Sequence, residues 1–227
     1  MKVLAFQIYG KFAHFRRFYT TTSPLTFSIP PFTVIRWIIA AILWKEKDSY
    51  NEEFSKILLW VEINFDTSNK KMFGLNLTNT KTWWGYIQVK QETLINPKYT
   101  IYVADTHFQE YQKLKNLLEK GYFEYTPYLG IAQFLANINY LWEFEAKKEN
   151  LSNTEIDSII PIEKTNNWEN IELVENQFFE IEKVPYSMDN NRNMLELKEF
   201  VFDVNGGKMK LKNFDGYLIE GKKVYLV

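Results

Sequence analysis

Three features of the 227-residue sequence predict an α+β fold. Apolar runs of strand length alternate with two stretches of helical periodicity through the first two thirds of the chain. The last third consists of short strand-like runs broken by turn residues. Hydrophobic residues make up 46% of the chain and aromatics 17%, which supplies a sizeable core and excludes a disordered chain.

Residues 1–9 read as a strand apolar on both faces, as a central strand should be. A long connection follows, holding Lys11, His14, Arg16 and Arg17 and then the hydroxyl cluster Thr20, Thr21, Thr22 and Ser23. Long ordered loops are more often functional than short ones. Pro30-Pro31 followed by Thr33 predicts a helix entry, through Thr capping or Pro in the first turn. The helix is apolar nearly all round and runs to Leu43 or Trp44. Residues 56–65 are a second strand. Residues 67–97 are polar and strand-prone, with Lys70, Lys71, Lys81, Lys90 and the pair Trp83-Trp84, and read as a hairpin insertion. A third strand is expected over 97–104. A helix over 107–120 places Phe108, Tyr111, Leu114, Leu117 and Leu118 on one stripe, with Gly121 as its C-cap. A strand over 138–147 completes the order β-α-β-β-α-β, that of a ferredoxin-like or RRM-like core. Residues 148–227 read as a β-rich lobe, with tight turns at Asn205-Gly206 and Glu220-Gly221. The expected division is 1–150 for the core with its insertion and 151–227 for the C-terminal lobe.

Cysteine is absent, which excludes disulfides and thiolate metal sites, and two histidines (His14 and His107) are too few for a His-rich metal centre. No cofactor is expected. Neither a signal peptide nor a membrane-length apolar helix is visible, so a cytoplasmic protein without a membrane partner is expected. Nucleophile elbows, Gly-rich phosphate loops, EF-hands and H-E-x-x-H motifs are missing, and the carboxylates are scattered. Net charge is −1, yet residues 1–100 carry a balance of +6 and residues 101–227 one of −7. Such asymmetry predicts one face for an anionic ligand and another for basic partners or solvent. Strand, basic loop and helix start in residues 6–43 suit an anionic backbone: cations neutralise phosphates, hydroxyls and loop N–H groups bond to them, and the helix start adds partial positive charge. The bland alternative is a solvated basic connection.

Four stretches resemble one family. They are F-A-H-F-R-R, T-T-T-S-P-L-T, Pro-Pro and apolar helix within residues 6–43; N-P-K-Y-T-I-Y-V at 96–103; Y-T-P-Y-L-G at 125–130; and V-P-Y-S-M-D-N-N-R at 184–192. Together they resemble the CRISPR-associated Cas-five family of the RAMP superfamily, particularly its subtype I-B members. Glycines are usual in that family where Trp37 and Trp44 stand, and a basic residue where Phe32 stands.

The resemblance implies a RAMP-type core whose insertion is a projecting β-hairpin thumb. It further implies a non-catalytic subunit that holds the repeat-derived 5′ handle of crRNA and caps the backbone filament of a type I Cascade surveillance complex in antiviral defence. The thumb would contact the terminal Cas-seven backbone subunit, the body would abut the Cas-eight large subunit, and target DNA would be a further partner within the complex. Candidate phosphate contacts are Lys11, His14, Arg16, Arg17, Thr22, Ser23 and Arg36, with Trp83 and Trp84 as candidate stacking residues. Relatives in subtype I-C instead cleave pre-crRNA without metal. His14 with Tyr19 and Lys11 is the nearest local set for that chemistry, deprotonating a 2′-hydroxyl and stabilising the developing charge. A stand-alone RRM-like chaperone is disfavoured, because no RNP1-like aromatic run lies on a strand.

Overall fold

The computed structural model describes residues 1–46, 49–78, 85–106, 108–157, 159–166 and 168–227. The protein is mostly β, built on a curled sheet. Strand β1 (Lys2–Tyr9) buries Val3, Leu4, Ala5, Phe6 and Ile8, so both of its faces are covered and it takes the centre of that sheet. Three short strands follow in the basic connection: β2 (Phe12–Ala13), β3 (Phe15–Arg16) and β4 (Thr26–Phe27). Helix α1 (Phe32–Leu43) starts at Pro31, whose carbonyl accepts the N–H groups of Val34 and Ile35, and Thr33 makes no cap bond. Trp44 closes the helix in the left-handed conformation, at φ 61°.

After the short α2 (Tyr50–Glu53) come β5 (Leu59–Ile63), the hairpin β6 (Lys70–Thr78) and β7 (Tyr86–Ile95), then β8 (Lys98–Ala104) and α3 (Tyr111–Lys120). Gly121 caps α3 at φ 62°, as the sequence predicts. The chain returns in β9 (Asn137–Ile156). The main sheet contains the run β9-β1-β8-β5, with each neighbouring pair antiparallel, and continues beyond β9. The β6–β7 hairpin is fastened at its root by β2, which pairs Phe12 with Ile95 and Ala13 with Leu94. Trp83 and Trp84 lie outside the described residues, as does His107.

Strand β9 is twenty residues long, twice the expected strand. Its first half pairs with β1; its second half pairs with β14 (Met209–Ile219). Residue 150, the expected division, falls inside it at the pair Asn150–Asp215. The extension was hidden because only Thr154 and Ile156 are buried in a polar run. Strands β10 (Ile160–Pro161), β12 (Phe179–Met188) and β13 (Met194–Asp203) make a separate sheet, while β11 (Ile171–Glu172) and β15 (Lys222–Val224) pair with β14. Asn205-Gly206 therefore turns the chain from one sheet to another and closes no hairpin. Gly206 stands at φ 70°, where an added Cβ would meet the Phe65 carbonyl oxygen at 2.9 Å. Glu220-Gly221, at φ 48° and 84°, does close the expected two-residue hairpin from Ile219 to Lys222.

The second sheet packs on α1. Phe32 stacks on Phe200 at 5.1 Å and meets Tyr186 at 5.2 Å, and one hydrophobic core runs through both sheets. Arg36 lies inside this contact at 2% exposure. Its Nε donates to the Phe54 carbonyl at 2.9 Å, its Nη1 donates to the Tyr186 carbonyl, and the guanidinium covers the Tyr186 ring at 4.9 Å. Arg36→Met keeps the apolar stem and removes a donor from two buried carbonyls, of which that of Phe54 still accepts the Ile57 N–H at 3.3 Å. It is expected to lower unfolding free energy by roughly 1–3 kcal/mol, the cost of the one carbonyl, that of Tyr186, left without its donor. A denaturant titration checks this; an unchanged midpoint would show that the two bonds contribute nothing.

Candidate nucleic-acid interface

The loop between β1 and α1 is held from three sides. At its start the His14 N–H bonds to the Leu129 carbonyl at 3.0 Å. The His14 carbonyl packs on Gly130, where an added Cβ would sit 1.9 Å from the oxygen, so only glycine fits. The imidazole is 3% exposed and its Nδ1 donates to the Glu92 carbonyl at 2.7 Å. Burial lowers its pKa below the usual 6.5, with Arg16 adding to the shift and the Glu92 carbonyl opposing it. Glu92, on β7, grips the loop twice more: its carboxylate accepts the Thr26 N–H at 3.0 Å and its own N–H reaches the Pro24 carbonyl at 2.9 Å.

The third hold comes from far along the chain. Glu182 of β12 is buried, and its carboxylate accepts Arg17 Nη2 at 2.7 Å, the Ser28 N–H at 2.8 and 2.9 Å, and the Ile29 N–H at 3.2 Å. Burial pushes its pKa above the usual glutamate value, while the Ser28 N–H and Arg17 pull it back. Tyr99 donates its hydroxyl to the Ser28 carbonyl at 2.5 Å, and Lys70 Nζ donates to Ser28 Oγ at 2.8 Å. Arg17 also donates Nε to the Thr26 carbonyl at 3.0 Å, lies 3.4 Å from Glu180 and covers the Phe27 ring at 5.7 Å.

The candidate residues thus divide. Lys11, Arg16, Thr22 and Ser23 are exposed on the loop, and among the described residues neither Lys11 nor Arg16 has an ion pair. Arg16 makes one long bond, to the Thr20 carbonyl at 3.4 Å. His14, Arg17 and Arg36 are engaged with the protein itself, and Arg36 lies in the helix contact described above. No hydrogen bond joins His14 to Tyr19, whose hydroxyl accepts from Arg17 Nη1 at 3.4 Å. Two residues stand out that were not among the binding candidates. Phe18 and Tyr19 are 48% and 58% exposed at the loop tip, edge to face at 5.1 Å. Their sequence signal is an aromatic pair directly after Arg-Arg, outside any strand or helix period.

Farther off, Trp37 rests against Tyr128 at 4.0 Å beside a groove of about 230 Å³ lined also by Thr33, Tyr50 and Arg192. Trp44 is exposed and donates Nε1 to the Tyr125 hydroxyl at 3.0 Å. Among the described residues no group of three His, Asp or Glu is placed to hold a metal ion, and no helix is long and apolar enough to cross a membrane.

The buried His14 makes stability depend on pH. Its folded pKa lies below the unfolded one, so between the two values the unfolded chain binds more protons and stability rises with pH. Stability is therefore lost as pH falls from about 6.5 through the folded value. His14→Gln, which can still donate to Glu92, is expected to flatten the fall in Tm between roughly pH 7 and pH 5. Equal slopes in thermal melts of the two proteins would show that His14 does not titrate on unfolding.

No protein-family model and no curated protein matches the chain. Solved structures do. A chain described as part of a CRISPR RNA-guided surveillance complex superposes with a TM-score of 0.53 at 10% identity, covering 96% of this chain and 91% of that one. A CRISPR protein from Archaeoglobus fulgidus superposes with a TM-score of 0.56 at 14% identity, over 99% and 98%. At these identities the shared property is the fold, and this chain has the fold of those CRISPR proteins along nearly its whole length.

Proposed function

We propose that the chain is a non-catalytic, Cas-five-like RAMP subunit of a type I CRISPR surveillance complex, of the subtype I-B kind, and that it binds the 5′ handle of crRNA. The observation that carries this reading is the loop of residues 11–28: rigidly braced, with Lys11, Arg16, Thr22 and Ser23 turned to solvent on a fold shared with CRISPR proteins. Free cations and hydroxyls on a pre-organised loop are what an RNA backbone requires, and discrimination would come from splayed bases and 2′-hydroxyls. Arg17, His14 and Arg36 then support the site, and Lys11, Arg16, Thr22 and Ser23 touch phosphate. The nuclease alternative is weaker because the His14 imidazole is enclosed and turned onto Glu92.

The finer assignments follow the same reading. Strand order β9-β1-β8-β5, with α1 and α3 as crossovers, supports a ferredoxin-like core. Residues 1–150 would be that RAMP unit and 151–227 its β-rich lobe, joined through β9. The β6–β7 hairpin would be the thumb that meets the Cas-seven subunit, with Trp83 and Trp84 as its stacking residues. Its arms expose Met72 and Ile87, the kind of apolar surface a partner covers. Cas-eight and target DNA would be neighbours in the assembled complex, in the cytoplasm.

Lys11→Ala with Arg16→Ala removes two phosphate contacts. On cognate repeat-derived RNA the slope of log K against log salt is expected to fall by up to about 1.4, at about 0.7 per contact for a single strand. An unchanged slope in a folded double variant would overturn the assignment of the loop. Replacing residues 79–86 with a short Asn-Gly turn is expected to leave handle affinity intact and abolish co-purification with the backbone subunits. Continued assembly would refute the thumb.

A further inference from the structure

We propose that Phe18 and Tyr19 form a stacking platform for an unpaired nucleobase adjacent to the phosphates held by Lys11 and Arg16. The inference rests on the RNA-binding reading above and adds what the site recognises besides charge. Two large aromatics of the same loop are core: Phe15 and Phe27 are each 1% exposed. Phe18 and Tyr19 instead face water, though Phe27 lies 6.4 Å beneath each ring. Their exposure is imposed by an ordered turn. The Arg17 N–H bonds to the Leu25 carbonyl at 2.8 Å, the Thr20 hydroxyl donates to the Arg17 carbonyl at 2.8 Å, and the Leu25 N–H reaches Thr20 Oγ1 at 3.3 Å. Arg17 is anchored in turn by Glu182, and its Nη1 fixes the Tyr19 hydroxyl. Two rings are thus held out at little further cost in ordering on binding.

The surroundings select the occupant. Flat π-faces accept any base, and an edge-to-face pair offers one face beside one edge. Arg16 and the Thr20–Ser23 hydroxyls flank the rings in sequence, which suits the sugar-phosphate links of the stacked nucleotide. The carboxylates nearest the turn do not oppose it: Glu182 is consumed by Arg17 and two N–H groups, and Glu180 lies 3.4 Å from Arg17 and 3.3 Å from Ser28 Oγ. Because the Tyr19 oxygen accepts from Arg17, its hydrogen is left to donate to a base edge or a 2′-hydroxyl. An apolar side chain of a protein partner would use the rings but leave these cations and hydroxyls without purpose.

The test uses the full chain, single-stranded RNA of the cognate repeat's 5′ handle carrying 2-aminopurine at successive positions, and poly-uridine as a sequence-free control. One position is expected to lose fluorescence on binding. Phe18→Ala with Tyr19→Ala should abolish that quenching and weaken binding by roughly 5- to 100-fold, with the salt slope unchanged because no phosphate contact is lost. Phe18→Tyr should retain both, and an abasic nucleotide at the quenched position should weaken the wild type but not the double variant further. Wild-type affinity and quenching in the folded alanine variant overturn the platform. If Lys11→Ala with Arg16→Ala still weakens binding in that case, the RNA-binding reading stands without it. Failure of the wild type to bind the handle or poly-uridine overturns both, and loss of partner capture with unchanged RNA binding assigns the rings to a protein.

Discussion

The buried carboxylate of Glu182 is the contact on which the arrangement of this protein turns. An ionised carboxylate away from water costs several kcal/mol unless its lone pairs are met. Here they are met by Arg17 and by the Ser28 and Ile29 N–H groups, all from one loop. A single side chain on β12 thereby satisfies backbone donors that have no partner in the loop itself, about 150 residues earlier in the chain. Loop and lobe consequently stand or fall together: without β12 the segment entering α1 has two buried donors and a half-buried arginine unpaired.

Tyr186 repeats the device four residues along the same strand. Its carbonyl receives Arg36, and its ring lies between the Arg36 guanidinium at 4.9 Å and Lys198 Nζ at 3.8 Å. Strand β12 therefore takes up two arginines of the N-terminal segment, one at each end of the run from loop to helix. Packing of Phe32 on Phe200 seals the gap between those points. The outcome is a loop whose inner side is fastened to sheet, hairpin and lobe, and whose outer side is left to solvent. That division separates the residues that brace the loop from those left on its outer surface.

Local signals in the sequence are legible where local physics decides. The doubly apolar run at residues 2–9 had to be central, the stripe ending at Gly121 had to be a capped surface helix, and Glu220-Gly221 had to be a two-residue turn. Distant partners decide the rest. Arg17 and Arg36 look like free cations in a basic loop and helix until Glu182 and the Tyr186 carbonyl are placed beside them. His14 reads as a ligand contact until Leu129, Gly130 and Glu92 are seen to enclose it. Asn205-Gly206 has the composition of a hairpin, but its flanking strands prefer different sheets. The second half of β9 carries too few apolar residues to announce itself, and β14 supplies its pairing.

The charge asymmetry of the two halves has the same origin in part. Lys2 pairs with Glu143, Arg17 with Glu180 and Glu182, and Lys45 with Glu110, each joining a base of the first half to an acid of the second. Part of the +6 and −7 balance is therefore internal complementarity that fastens the halves together, although Lys222 with Glu62 runs the other way. The loop retains few unpaired cations. If the loop holds RNA as proposed, counterion release supplies only part of the affinity, since each neutralised phosphate contributes one small, salt-sensitive increment. In the proposed role the remainder would come from contacts that salt does not screen, and on this loop the exposed aromatic pair is the group able to supply them.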